Sequence, residues 1–211
     1  MKAIKIPFVC IIIIFLFSCR SEETSQTTPD SPLRTQLIQV PMARQATNYT
    51  CGVAALQSVL HYYGDEWRQD KLSLALKADS VNGTNYRNIM RFCDSLGYAT
   101  KVHTGLSIDS LKTFIDLGFP MILAIQAWAE SPGKYADEWD SGHYVVCIGY
   151  DHEKFYFMDP STTGNYTFIP VNEFVDRWHD IDQEGIKLYN FALQISKGVS
   201  TYKSGEILKM H

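Results

Sequence analysis

An α+β fold, with helices first and a mostly antiparallel sheet after them, is what this sequence predicts, on three observations. Between residues 51 and 118 apolar side chains recur at helical spacing, and the runs close on Gly64, Gly97 and Gly118. From Pro120 onward the apolar runs shorten and become rich in β-branched and aromatic residues, as strands require. The two kinds of segment are largely separated along the chain, which favours an antiparallel sheet over βαβ units.

The chain has 211 residues, 45% of them hydrophobic and 20% charged, which suits one domain with a real core. Its 12 Tyr and 11 Phe argue against wholesale disorder. The formal net charge is −4 and no basic stripe exists, so nucleic acid is not an expected partner.

Four regions are expected: 1–18 a lipoprotein signal peptide, 19–38 a lipidated Cys and disordered tether, 39–196 the folded domain, and 197–211 a polar tail. Lys2 and Lys5 precede an apolar run over residues 6–17, shorter than the roughly 20 residues that span a bilayer. The run ends in Leu16-Phe17-Ser18-Cys19, which resembles the bacterial lipobox, so Cys19 is expected to carry lipid. Phe17 is a looser fit to that pattern, and an ordinary secretory signal is the alternative. The expected location is the bacterial cell envelope, lipid-anchored and extracytoplasmic, at the outer membrane or cell surface. Arg20 to about Pro32 is Ser/Thr/Gln/Pro-rich without apolar periodicity, hence a solvated tether. Ser21-Glu22-Glu23 reads either as a surface-sorting tag or as plain charged linker.

In the domain, a helix is predicted over residues 51–63, with Asn48 and Thr50 as candidate caps and Gly64 as its stop. Further helices are predicted over 70–77, over 85–96 with Cys93 on the apolar face, and over 107–118 with Ser107 as cap. Strands are predicted over 121–127, 143–150, 154–158 and 167–170, then a helix over 171–178 and a last strand over 188–195. The tail beyond residue 196 is expected to fray.

Five cysteines are present; Cys10 leaves with the signal and Cys19 takes lipid, leaving Cys51, Cys93 and Cys147. An odd number in an oxidising compartment leaves a free thiol, and a reactive one explains it. No Cys-x-x-Cys occurs, so no structural zinc site and no cofactor are expected. Cys51 begins a helix, where unpaired amides favour a thiolate, and Gly52 after it suggests close approach by a substrate backbone. His143 begins an apolar strand, and Asp159 ends the next one before Pro160. Such a carboxylate can fix the imidazole tautomer. Each signal alone also has an ordinary reading: a structural thiol, a core histidine, a turn aspartate.

Together they carry a resemblance. Gln45-Ala-Thr-Asn-Tyr-Thr-Cys51-Gly52-Val-Ala-Ala-Leu56, then Gly142-His143-Tyr-Val-Val, then Tyr156-Phe-Met-Asp159-Pro160, looks like the double-glycine leader peptidase family of bacteriocin-processing cysteine peptidases. The resemblance implies a papain-like fold, with the nucleophile at a helix start packed on a C-terminal sheet. It implies Cys51 as nucleophile, His143 as base, Asp159 as orienting residue and Gln45 as oxyanion donor. The family often has Asp before the nucleophile, where this chain has Thr50. The best-known members are the N-terminal parts of export transporters. This sequence shows no membrane bundle and no phosphate-binding loop, so processing during export is not implied.

The expected function is hydrolysis of peptide or isopeptide bonds through a Cys-His-Asp triad and an acyl-enzyme, outside the cytoplasm, with a peptide or protein as substrate and the membrane reached through the anchor. Acyl transfer by the same triad, a surface peptide-binding lipoprotein with little turnover, and a purely structural lipoprotein are the alternatives. Cys93 and Cys147 are expected to be inert core thiols, and His61, His103, His152, His179 and His211 carry no expected role. The stretch from Trp128 to Trp139 reads either as substrate groove or as a cover for the sheet edge.

Overall fold

The computed structural model describes residues 37–129, 134–207 and 209–210. The signal and Cys19 expectations and residues 19–36 of the tether, together with Glu130, Pro132 and His211, lie outside the described residues. The expected tether ends earlier than residue 38, because Ile38 donates its amide to Ile148 O at 2.7 Å and packs against both cores.

The first helix, α1 (Cys51–Tyr62), buries Val53, Leu56, Val59 and Leu60 at the helical spacing read from the sequence. Gly64 follows with φ 95°, the left-handed conformation that glycine adopts without strain. Helices α2 (Gln69–Leu76) and α3 (Tyr86–Ser95) come next, α3 being capped by the Asn85 side chain on the Arg87 amide. Ser107 caps α4 (Ile108–Asp116) on the Ser110 amide. Such caps satisfy amides that have no partner within the helix. At α1 the expectation fails. Thr50 makes no side-chain cap bond, because its hydroxyl is taken by the preceding turn, accepting from the Thr47 amide and donating to the Thr47 carbonyl.

Strand β1 (Ala99–His103) lies between α3 and α4, where no strand was expected. It is an edge strand, paired only with β8, and its alternation is too polar to stand out in the sequence. Strands β2 (Met121–Gln126), β3 (Gly142–Tyr150), β4 (Lys154–Met158) and β5 (Thr167–Pro170) follow, then helix α5 (Val171–Arg177). The expected last strand over 188–195 is two strands. A hairpin of β6 (His179–Ile181) and β7 (Lys187–Tyr189) forms its own small sheet. Asn190, at φ 49°, turns the chain before β8 (Ala192–Ser196) enters the main sheet.

The main sheet has the order β1-β8-β2-β3-β4-β5, and every pairing in it is antiparallel. Side chains alternate between its two faces. Ile122, Ala124, Val146, Ile148, Met158, Leu193 and Ile195 meet α1–α3 on one face. Met121, Leu123, Ile125, Val145, Cys147, Phe155 and Phe157 meet α4 and α5 on the other, around Leu111, Ile115, Phe174 and Trp178. With both faces covered, β2 is buried at all six positions and reads as a continuous apolar run.

The tail does not fray at its start: Thr201 and Tyr202 donate their amides, and Ser200 its hydroxyl, to the carbonyl of Tyr62 at the end of α1.

Candidate active site

The first turn of α1 is seated by close packing. A Cβ added to Gly52 would lie 2.8 Å from Thr84 Cβ and 2.9 Å from Tyr144 Cδ2, both well inside contact distance. The glycine is therefore required by α1 docking on β3 and on the loop before α3, not by substrate approach as the sequence suggested. Cys51 is half-buried as a result, while Cys93 and Cys147 are fully buried. Burial pushes each of those two thiols up to about 12, so both are protonated and unreactive near neutrality.

His143 sits one residue into β3 and is 3% exposed. By alternation it shares a face with Val145 and Cys147, while Tyr144 takes the α1 face against Gly52. Its Nε2 lies 2.8 Å from Asp159 Oδ1, and the Cys51 thiol lies near enough to help raise its pKa. With Nε2 committed to the carboxylate, Nδ1 is the nitrogen left for sulfur. Burial alone would lower the imidazole pKa. The hydrogen bond and charge of Asp159, together with the neighbouring Cys51, outweigh it and raise it to about 9.

Asp159 follows directly on β4. Its burial opposes ionisation, but the His143 ring, the Ser161 amide and the Ser161 hydroxyl hold the carboxyl down at about 2. Oδ1 accepts from the Ser161 amide and Oδ2 from the Thr162 hydroxyl, at 2.8 and 2.9 Å. The carboxylate is thus fixed from both sides and cannot swing away from the ring. Trp128 packs on the imidazole with centroids 5.0 Å apart, although the indole itself is half exposed. The described part of the stretch from Trp128 to Trp139 therefore touches the site at both ends, since Trp139 stands on the wall of the cleft in front of Cys51.

Gln45 joins the group through its backbone, its amide donating to Pro160 O at 2.9 Å. Its side-chain Nε2 donates to Thr47 O at 2.8 Å, and Oε1 is buried without a partner. A side-chain amide has two N–H donors, of which one is used by Thr47 O.

The cleft, of about 390 Å³, runs from Cys51 and His143 between the 80–86 loop and the β6–β7 hairpin. The two rims are tied together. Gln183 Nε2 donates to Asn82 O, Asn85 Nδ2 donates to Gln183 Oε1, and Arg87 pairs with Asp182 at 3.1 Å. One acid on this wall went unnoticed in the sequence: Asp180. It lies in a Trp-His-Asp-Ile stretch with no periodic signal, and only the hairpin's fold carries it to the cleft.

Residues 37–186 match the model of the Peptidase_C39 like family. The chain is 26% identical over 135 residues to the transport/processing ATP-binding protein ComA of Streptococcus pneumoniae, covering 64% of this chain but only 17% of that protein. It is similar in fold to a C39-like peptidase from Bacillus anthracis (TM-score 0.60, 20% identity, 79% of this chain and 99% of the other). It is also similar to a double-glycine-motif protease from an AMS/PCAT transporter solved with its leader peptide (TM-score 0.55, 22% identity, 75% and 92%). The helices and the antiparallel sheet agree with that likeness, and the chain belongs to the C39-like family of cysteine peptidases, with their papain-like fold.

Proposed function

We propose that this chain hydrolyses peptide or isopeptide bonds outside the cytoplasm, held to the bacterial envelope by lipid on Cys19. The observation that carries the reading is the His143 ring, held by Asp159 at 2.8 Å, lining the same cleft as the half-buried Cys51 thiol. The leader-peptide complex of the transporter protease supports a peptide as substrate. The pattern of Lys2, Lys5, an apolar run and Ser18-Cys19 supports the anchor.

In this scheme His143 holds the proton that the Cys51 thiol gives up, and the thiolate attacks the carbonyl carbon of the scissile bond. The negative oxygen that forms meets the Cys51 amide and the free Nε2 proton of Gln45; losing such a donor costs about 2.7–4 kcal/mol in the transition state. The imidazolium protonates the leaving amine, which departs and leaves a thioester. Water then loses a proton to His143 as it attacks, and the freed acid and thiol restore the enzyme. A peptide-binding protein without turnover would have no need of a buried, doubly anchored base beside its thiol.

Two arms of one experiment test this. The full chain is expected to cleave peptides from a mixed library, and Cys51→Ala to cleave none while keeping its melting temperature. The wild type is expected in the membrane fraction and Cys19→Ala in the soluble one. Cleavage by Cys51→Ala, or a soluble wild type whose N-terminus lies downstream of Cys19, contradicts the respective half.

A further inference from the structure

Asp180 is a partly buried acid on the cleft wall that pairs with no Lys or Arg among the described residues. Its Oδ1 accepts from Gln126 Nε2 at 3.1 Å and from the Ile181 amide at 2.8 Å. Both carboxylate oxygens press against the α-carbon of Gly142, where a Cβ would come within 2.5 Å of Oδ1 and 2.8 Å of Oδ2. Glycine immediately before His143 is what lets the carboxylate reach the cleft. Burial pushes this carboxyl up to about 6, against the amide of Ile181, the Gln126 side chain and the charge of His143.

Its neighbours show how unusual this is. Asp182, two residues on and on the same wall, is balanced by Arg87 and by the amides of Glu184 and Ile186. Among the described residues no Lys or Arg reaches Asp180; Lys187 of the same hairpin lies over the Trp139 ring instead. Two hydrogen bonds and the charge of His143 only partly offset the cost of desolvating this carboxylate. Facing the cleft on its other wall, Thr84 is only 5% exposed, yet its Oγ1 has no hydrogen-bond partner. A carboxylate that no Lys or Arg reaches and a residue whose buried hydroxyl lacks a partner thus line the same cavity as Cys51. The exposed Asp140 stands on that wall too.

We infer that this cleft selects peptides carrying a cationic group, a Lys or Arg side chain or a free amino terminus, which pairs with Asp180 while Thr84 Oγ1 takes a hydrogen bond from the same peptide. The inference rests on the peptidase reading above. An ammonium or guanidinium supplies both the missing charge and the donors that the carboxylate can accept. A neutral or acidic group in the same place would leave Asp180 unpaired, or would repel it, which is how a desolvated acid discriminates between substrates.

The test uses the full chain and internally quenched octapeptides in which Lys, norleucine or Glu occupies each position in turn, each made with a free and an acetylated amino terminus. In the wild type, Lys at one position, or the free amino terminus, is expected to raise kcat/KM about tenfold over its neutral counterpart. The position scan and the acetylation arm tell the two sources apart. In Asp180→Asn, which keeps an acceptor oxygen for Gln126 and Ile181, that ratio is expected to fall to about one. Cleavage with no preference among Lys, norleucine and Glu and none for the free over the acetylated amino terminus, or a preference unchanged in Asp180→Asn, overturns the cationic site and leaves the peptidase reading intact. The wild-type ratio decides the matter even if the variant does not fold. Failure of the wild type to cleave any peptide overturns the peptidase reading, and the site with it.

Discussion

The imidazole of His143 is pulled in two directions, and the balance sets the pH behaviour of the site. Burial favours the neutral ring, while Asp159 and Cys51 favour the charged one and prevail, raising its pKa to about 9. A group raised in the folded state stabilises it fully below its ordinary value near 6.5, and that contribution is lost as pH rises through about 9. Asp159 works in the opposite sense. Held at about 2, it stabilises the fold above the ordinary carboxyl range, and that contribution is lost as pH falls toward 2. The same ring must be protonated to release the leaving amine, so kcat/KM is expected to fall on the alkaline side near pH 9. In Asp159→Asn this limb is expected to move to lower pH, because the charge that raises the ring is gone. His143→Ala should be inactive, Asp159→Asn should keep measurable turnover, and Asp159→Ala should fall between them. A thiol, being intrinsically more acidic than a hydroxyl, depends less on the orienting acid than a serine does, for which the equivalent change costs about 10⁴-fold. A pH–rate profile on these variants checks the ranking; wild-type turnover by Asp159→Ala would reduce Asp159 to a turn residue. These three residues were legible because each sits where its element begins or ends. Asp180 and Thr84 were not, since only long-range packing makes them part of the cleft.

Among the elements, α1 and the strand that receives it do most to place the thiol. Glycine at position 52 lets the first turn of the helix settle on Tyr144 and Thr84, so Gly52→Ala forces side chains apart in a filled site. Overpacking of this kind costs about 1–3 kcal/mol, which for a domain this size lowers the melting temperature by roughly 2–4 °C per kcal/mol. Thermal unfolding and turnover measured together separate two accounts: packing predicts that both fall, whereas a role only in substrate approach predicts slower turnover at an unchanged melting temperature. The helices and the strands β2 to β5 were legible because their apolar periodicity is long or unbroken. The edge strand β1 and the three-residue strands of the β6–β7 hairpin were not, since each buries too little apolar surface to leave a pattern. The break at Asn190 within the expected last strand depends on a single residue at positive φ, and composition gives no sign of it.

At the scale of the whole molecule, the sheet separates two cores, and the site forms where both can hold it. α1 brings Cys51 from the α1–α3 face, whereas His143 belongs by alternation to the face that packs α4 and α5. The hairpin and the loop before α3, cross-tied by Gln183 and by the Arg87–Asp182 pair, close the cleft in front of them. The order of segments along the sequence foretold an antiparallel sheet, but not that helices would cover both sides of it, because coverage depends on how connections cross the sheet. The central claim is that this assembly makes Cys51 the nucleophile. The most direct measurement is to quench a peptide digest by the full chain with acid during turnover and map the trapped acyl group by mass spectrometry. The account predicts a thioester on Cys51, with Cys93 and Cys147 unmodified in the folded protein; an acyl group on any other residue, or turnover from which none can be trapped on Cys51, would contradict it.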